Sequence, residues 1–184
     1  MALVLKDDFV MDYRRIWSPG GTYFFTVNLQ ERLGNTLLID QIDLLRSAVR
    51  TVRRQHPFTV HAWVVLPEHL HCIWQLPTGD ADFAVRWRLI KLLFSRGLPV
   101  SEHRTTVQRK RGARGIWQRR YWEHLIRNDA DFAAHMDYVH MNPVKHGLVT
   151  CVADWPYSTF FRLVAQGLYP PDWAGGNVDL PYPD

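Results

Sequence analysis

Two kinds of spacing between hydrophobic and polar positions run along the chain. After the turn residues "SPGG", the stretch "TYFFTVNL" alternates between faces and is rich in aromatic and β-branched side chains, which predicts a first strand over residues 22–29. A helical spacing follows, with Ile42, Leu45, Val49 and Val52 on one face of a helix over residues 41–55, Asp40 as its cap and Pro57 as its stop. "FTVHAWVVL" predicts a second strand over residues 58–66, Pro67-Glu68 breaks it, and a third covers residues 70–76. Asp80 or Asp82 opens a helix to about Ser95, with Phe83, Trp87, Ile90 and Leu93 or Phe94 inward. A fourth strand is expected over residues 121–127, and "DADFAAHMDYVHMNPVKHGL" reads as a last helix, capped by Asn128 or Asp129 and ended near Gly147.

Strand, helix, two strands, helix and strand is the order of an α+β fold. It predicts a ferredoxin-like split β-α-β antiparallel sheet with helices, an extra C-terminal helix and an aromatic tail. Residues 1–150 are expected to form the domain. Residues 151–184, with Trp155, Tyr157, Tyr169 and Trp173, are expected to pack on it as a tail.

One stretch departs from the pattern. "LPEHLHCIW" places His69 and His71 in a run that otherwise reads as a buried strand. Side chains alternate across a strand, so His69 and His71 share one face while Leu70, Cys72 and Trp74 take the other. Two imidazoles so placed can bind one divalent ion; two histidines hydrogen-bonded to neighbours would also fit. A metal site would need a further ligand from elsewhere. On the last helix, His135, Tyr138 and Asn142 fall on one face. A buried tyrosine with a bonded hydroxyl is the plain alternative for Tyr138.

Charge adds a second lead. The net charge is +4, and seven Lys/Arg fall between Arg104 and Arg120 with no acid among them. Such a block is either a solvated loop or a phosphate-binding one. No apolar run approaches a membrane span, the acidic start does not resemble a secretion signal, and two cysteines make no disulfide framework. These features point to the cytoplasm.

"VVLPEHLHCIW" resembles the His-hydrophobic-His signature of HUH single-strand endonucleases. "WQRRYWEHLIRNDADFAAHMDYVHMNPVKHGLV" and "DWPYSTFFRLVAQGLYPPDW" resemble the REP-associated tyrosine transposases, relatives of the single-tyrosine insertion-sequence transposases, and the likeness runs over residues 13–173. That resemblance implies DNA transposition and recombination chemistry: a metal-dependent single-stranded DNA endonuclease and strand transferase acting at REP-type hairpins through a 5′-phosphotyrosine link. It implies Tyr138 as nucleophile, with His69, His71 and Asn142 as ligands of Mg²⁺ or Mn²⁺. His135 is a candidate base. Arg14 and Arg15 match the place where the family reads a short tetranucleotide, and Arg109, Lys110, Arg111, Arg114, Arg119 and Arg120 are candidates for phosphate contact. The expected partner is hairpin-bearing single-stranded DNA, with no membrane, and a monomer is expected, a dimer being the alternative. Two other readings remain: a metal nuclease that activates water, and a non-catalytic ferredoxin-like nucleic-acid binder.

Overall fold

The computed structural model describes residues 17–100, 106–110, 112 and 114–173. Four strands, β1 (Thr22–Asn28), β2 (Thr59–Val65), β3 (His69–Gln75) and β4 (Trp122–Leu125), form an antiparallel sheet in the order β2-β3-β1-β4. That is the expected split β-α-β arrangement, with β1 and β3 in the centre.

Between β1 and β2 lie a single-turn helix α1 (Leu37–Asp40) and α2 (Ile42–Gln55). Asp40 is not the cap of α2. The Asn35 side chain accepts from Leu37 N at 3.0 Å and starts a helical turn earlier, and Asp40 accepts the Thr36 hydroxyl at 2.7 Å. Leu45, Ala48 and Val52 form the buried stripe of α2, with Ile42 and Val49 at its flank. Between β3 and β4 runs α3 (Phe83–Gly97), capped by Asp82, which accepts from Val85 N at 2.9 Å. Its inward residues are Phe83, Trp87, Ile90 and Phe94, as the spacing requires, and Arg86 is buried with them. That cation is tolerable because it donates to Asp80 Oδ2 at 2.6 Å and to the Pro57 and Asp82 carbonyls at 2.7 Å. A short helix, α4 (Thr106–Lys110), precedes β4.

The two helices α2 and α3 pack on one face of the sheet against Tyr23, Phe25, Val27, Leu70, Cys72 and Trp74. The alternate residues Phe24, Ala62, Val64 and Ile73 face the other way, toward α5 (Asp129–Lys145). Asn128 caps α5: its backbone is extended and its side chain accepts from Asp131 N at 2.9 Å. Beyond α5, a 3-10 turn (Val152–Asp154) leads to α6 (Phe160–Ala165). This segment lies along β2, whose edge would otherwise be open. Val65 N donates to Tyr157 O at 2.9 Å, Thr159 N to Trp63 O at 2.8 Å, and Trp155 Nε1 to Val65 O at 2.9 Å. Phe160 and Leu163 are buried. Among the described residues, no helix is long and apolar enough to cross a membrane.

Candidate active site

His69 opens β3 and His71 follows two residues later, so both rings point to the α5 side of the sheet. Both are fully buried, with ring centroids 4.9 Å apart. Each ring has one nitrogen engaged. His69 Nδ1 lies 2.9 Å from Glu68 Oε1, an oxygen that also accepts from Arg32 Nη2 at 3.1 Å. His71 Nδ1 lies 2.9 Å from Thr26 Oγ1, its direct partner in the β1–β3 ladder. Nε2 is therefore the atom each ring can offer.

The opposite wall is α5. Tyr138 and Asn142 lie one turn apart, and Asn142 Nδ2 donates to Tyr138 O at 3.3 Å. The Tyr138 ring meets His71 edge-on at 5.3 Å, is 1% exposed, and has Lys145 Nζ 5.1 Å from its centroid. His146 stands 5.1 Å from His69. Among the described residues, His69 Nε2 and Asn142 Oδ1 are buried with no hydrogen-bond partner. Such atoms are costly to leave without a partner, which an ordered water or a bound ion can supply. Two imidazole nitrogens and one amide oxygen are a donor set suited to a divalent ion. Burial alone would raise the Glu68 carboxyl, but the bond and charge from His69 and the bond from Arg32 outweigh it and hold the group at about 2.

His135 belongs to the same helix face but to a separate cluster. Its Nδ1 is 2.7 Å from the Asp131 carbonyl and 3.0 Å from Asp131 Oδ1. The Asp131 carboxylate also takes His124 Nε2 at 2.9 Å and Arg127 N at 2.9 Å. The two rings stack at 4.7 Å. By distance, His124, Asp131 and His135 could share a cation. The main-chain carbonyl, however, can only accept, so His135 Nδ1 donates to it, and this ring could meet a cation only through Nε2. The trio is a clamp between β4 and α5. Burial lowers the His135 pKa. For Asp131, burial pushes upward and the bonds from His124 and Arg127 N bring the carboxyl below its ordinary value. Phe24 touches His135, His71 and Tyr138 together, at 4.9, 5.6 and 5.7 Å.

The candidate phosphate contacts divide by environment. Arg14, Arg15 and Arg111 lie outside the described residues. Arg109 and Lys110 are exposed at the end of α4, and Arg119 and Arg120 are exposed before β4. Arg114 donates to Leu98 O at 3.0 Å, Pro99 O at 2.6 Å and Ser95 O, which places its charge at the C-terminal end of α3. A cleft lined by Arg32, Asn35, Thr36, Glu68, His146 and Leu148 opens beside His69. Sequence reasoning missed Thr26, Glu68, His124 and Asp131 as parts of this region. Glu68 was detectable as the neighbour of His69; the others depend on strand register and helix docking.

Paired strand histidines facing a helix-borne tyrosine across a split β-α-β sheet define the class: a His-x-His protein with a single candidate tyrosine nucleophile. No family model matches the chain. It is 52% identical over 169 residues to the REP-associated tyrosine transposase of Escherichia coli strain K12, covering 92% of this chain and 94% of that one. It is 47% identical over 170 residues to a Haemophilus influenzae protein assigned to the same family, covering 92% of this chain and 96% of the relative. A solved structure of a REP-associated tyrosine transposase bound to a REP hairpin superposes with a TM-score of 0.80 at 52% identity, over 92% of this chain and 94% of that one. The chain belongs to the REP-associated tyrosine transposases.

Proposed function

We propose that the protein is a metal-dependent single-stranded DNA endonuclease and strand transferase that acts at REP-type hairpins through a 5′-phosphotyrosine intermediate. The observation that carries this reading is Tyr138 packed on His71 beside the buried, unpartnered Nε2 of His69. The hairpin part is supported by the relative solved with a REP hairpin.

His69, His71 and Asn142 would hold the ion, Mg²⁺ or Mn²⁺. When bound, it supplies Lewis-acid polarisation of a phosphodiester oxygen. The Tyr138 oxygen attacks phosphorus; the Tyr–O–P bond forms as the P–O3′ bond breaks, and the phenolic proton is balanced by the proton gained on the departing 3′ oxygen. A free tyrosine titrates near pH 10, so the phenolate needs help. The Lys145 ammonium beside the Tyr138 ring favours it, and His135 could take part through Nε2, its Nδ1 being held by Asp131. The covalent link conserves the phosphodiester bond, so a second strand end can be joined without ATP. Exposed Arg109, Lys110, Arg119 and Arg120 would hold phosphates, with Arg14, Arg15 and Arg111 as further candidates. Every proposed ligand and the nucleophile come from one chain, which suits a monomer.

The test is incubation of the protein with hairpin-bearing single-stranded DNA and Mn²⁺ or Mg²⁺, read on a denaturing gel. Wild type should give a cleaved strand and a protein–DNA adduct, and Tyr138→Phe should give neither while still binding DNA. Cleavage without an adduct would favour a water-activating nuclease. Binding without cleavage would leave a nucleic-acid-binding module.

A further inference from the structure

A neutral imidazole that binds a metal offers the lone pair of one nitrogen and carries its proton on the other. In a buried ring, whatever faces the second nitrogen decides which is which. The two strand histidines differ in this respect. His71 Nδ1 faces a threonine hydroxyl at 2.9 Å, which can donate or accept and so permits either tautomer. His69 Nδ1 faces a carboxylate at 2.9 Å, which when ionised only accepts.

That carboxylate is braced. Arg32 Nη2 donates to the same oxygen, Oε1, at 3.1 Å. Its side chain is 31% exposed and that of Glu68 17%, so the pair is partly screened from water while the His69 ring is fully enclosed. The backbone is pinned as well: Leu29 N donates to Glu68 O, and Leu66 N to His69 O, both at 2.8 Å. The Arg32–Glu68–His69 chain thus runs from the cleft at the surface to the buried imidazole. We propose that Glu68, held by Arg32, is the positioning residue of the metal site: it fixes His69 as the Nδ1–H tautomer, aims Nε2 at the ion and strengthens it as a donor. This rests on the reading of His69 and His71 as metal ligands.

Two readouts on the full chain test it, and neither is activity. The first is the ¹⁵N side-chain spectrum of the metal-free protein at neutral pH, in which His69 should show the Nδ1–H pattern. The second is Mn²⁺ affinity, measured by the loss of the free-ion electron paramagnetic signal. Removing such an outer partner costs about 10–100-fold in metal affinity, and Glu68→Ala should show a loss in that range. Glu68→Gln keeps the shape and an acceptor oxygen but not the charge and should recover only part of it, whereas a role in packing alone would be restored in full by this isosteric side chain. Wild-type binding that Glu68→Ala leaves within about twofold, or an Nε2–H pattern for His69 in the wild type, would overturn this inference alone. A wild type that binds no Mn²⁺ would overturn the metal reading and this inference with it. The spectrum needs no variant, so it decides the tautomer even if Glu68→Ala does not fold.

Discussion

A buried imidazole is stable only when its nitrogens are accounted for, and α5 carries buried histidines that solve this differently. His135 has Asp131. His140 has the Thr159 hydroxyl 3.2 Å from Nε2, and burial, with a smaller push from the Arg162 charge, outweighs a bond to the Met136 carbonyl and lowers its pKa to about 4. The sign follows. Above the unfolded value of 6.5, His140 is neutral in both states and costs nothing. As pH falls from 6.5 toward 4 the unfolded chain takes up a proton that the folded one resists, so stability is lost across that window, on the order of 3 kcal/mol from this group. Urea unfolding of the metal-free protein should show that decline, and His140→Gln should flatten it. For the proposed ligands, His69→Ala and His71→Ala should each abolish divalent-dependent cleavage with circular dichroism unchanged. Full activity in either would remove that residue from the site.

At the level of elements, α5 is held near its start and again at its middle. Near its start, Asp131 ties it to β4 through His124 and to the Arg127 amide. Near Tyr138, the Tyr169 hydroxyl donates to Asp137 Oδ1 at 2.6 Å, and the Tyr169 ring rests on His140 and Phe160. Asp131→Ala removes an acceptor from partly buried donors and should cost about 2–3 kcal/mol of unfolding free energy by denaturant titration. The basic segment separates into two roles. Neutralising Arg109, Lys110, Arg119 and Arg120 should weaken DNA binding and reduce the salt slope by about 0.7 for each phosphate no longer neutralised. Arg114→Ala should instead lower stability, because the α3 carbonyls lose their donor. An unchanged slope in the four-site variant would return those residues to a solvated role.

The whole molecule is two layers of helix on a sheet, with the tail closing the β2 edge. Tyr138 is 1% exposed. The tail holds the same helix through Tyr169, which donates to Asp137 and packs on His140, with Trp173 against the Tyr169 ring. Truncation at Val152 should destabilise the protein, since it strips Phe160 and Leu163 from the core, and burying each such side chain is worth about 1.5–3 kcal/mol. Removing only the residues after Tyr169 takes away Trp173 from Phe160 and Tyr169 and should lower the melting temperature less than truncation at Val152, while altering the cleavage rate or the choice of DNA. An unchanged rate and selectivity would leave the tail as packing alone.

The sequence by itself determined the layout. Alternation along "TYFFTVNL" and "HLHCIWQ" specified which residues face which layer, and it put His69 and His71 on one side because a strand has only two sides. Helical spacing placed Tyr138 and Asn142 on one stripe. These are local regularities, set by backbone geometry within a few residues. Element ends were less legible: Asp40 became the end of its own turn, and β4 shrank to Trp122–Leu125, because neighbouring hydrogen bonds decide where a ladder or helix stops. Tertiary structure alone decided what the side chains meet. The β1–β3 register set Thr26 against His71, and the docking of α5 on the sheet set Tyr138 against the same ring. Asp131 found His124 only because β4 pairs with β1 and lies beside the first turn of α5. Such partners come from distant stretches of chain, joined by packing and register rather than by any period in the sequence.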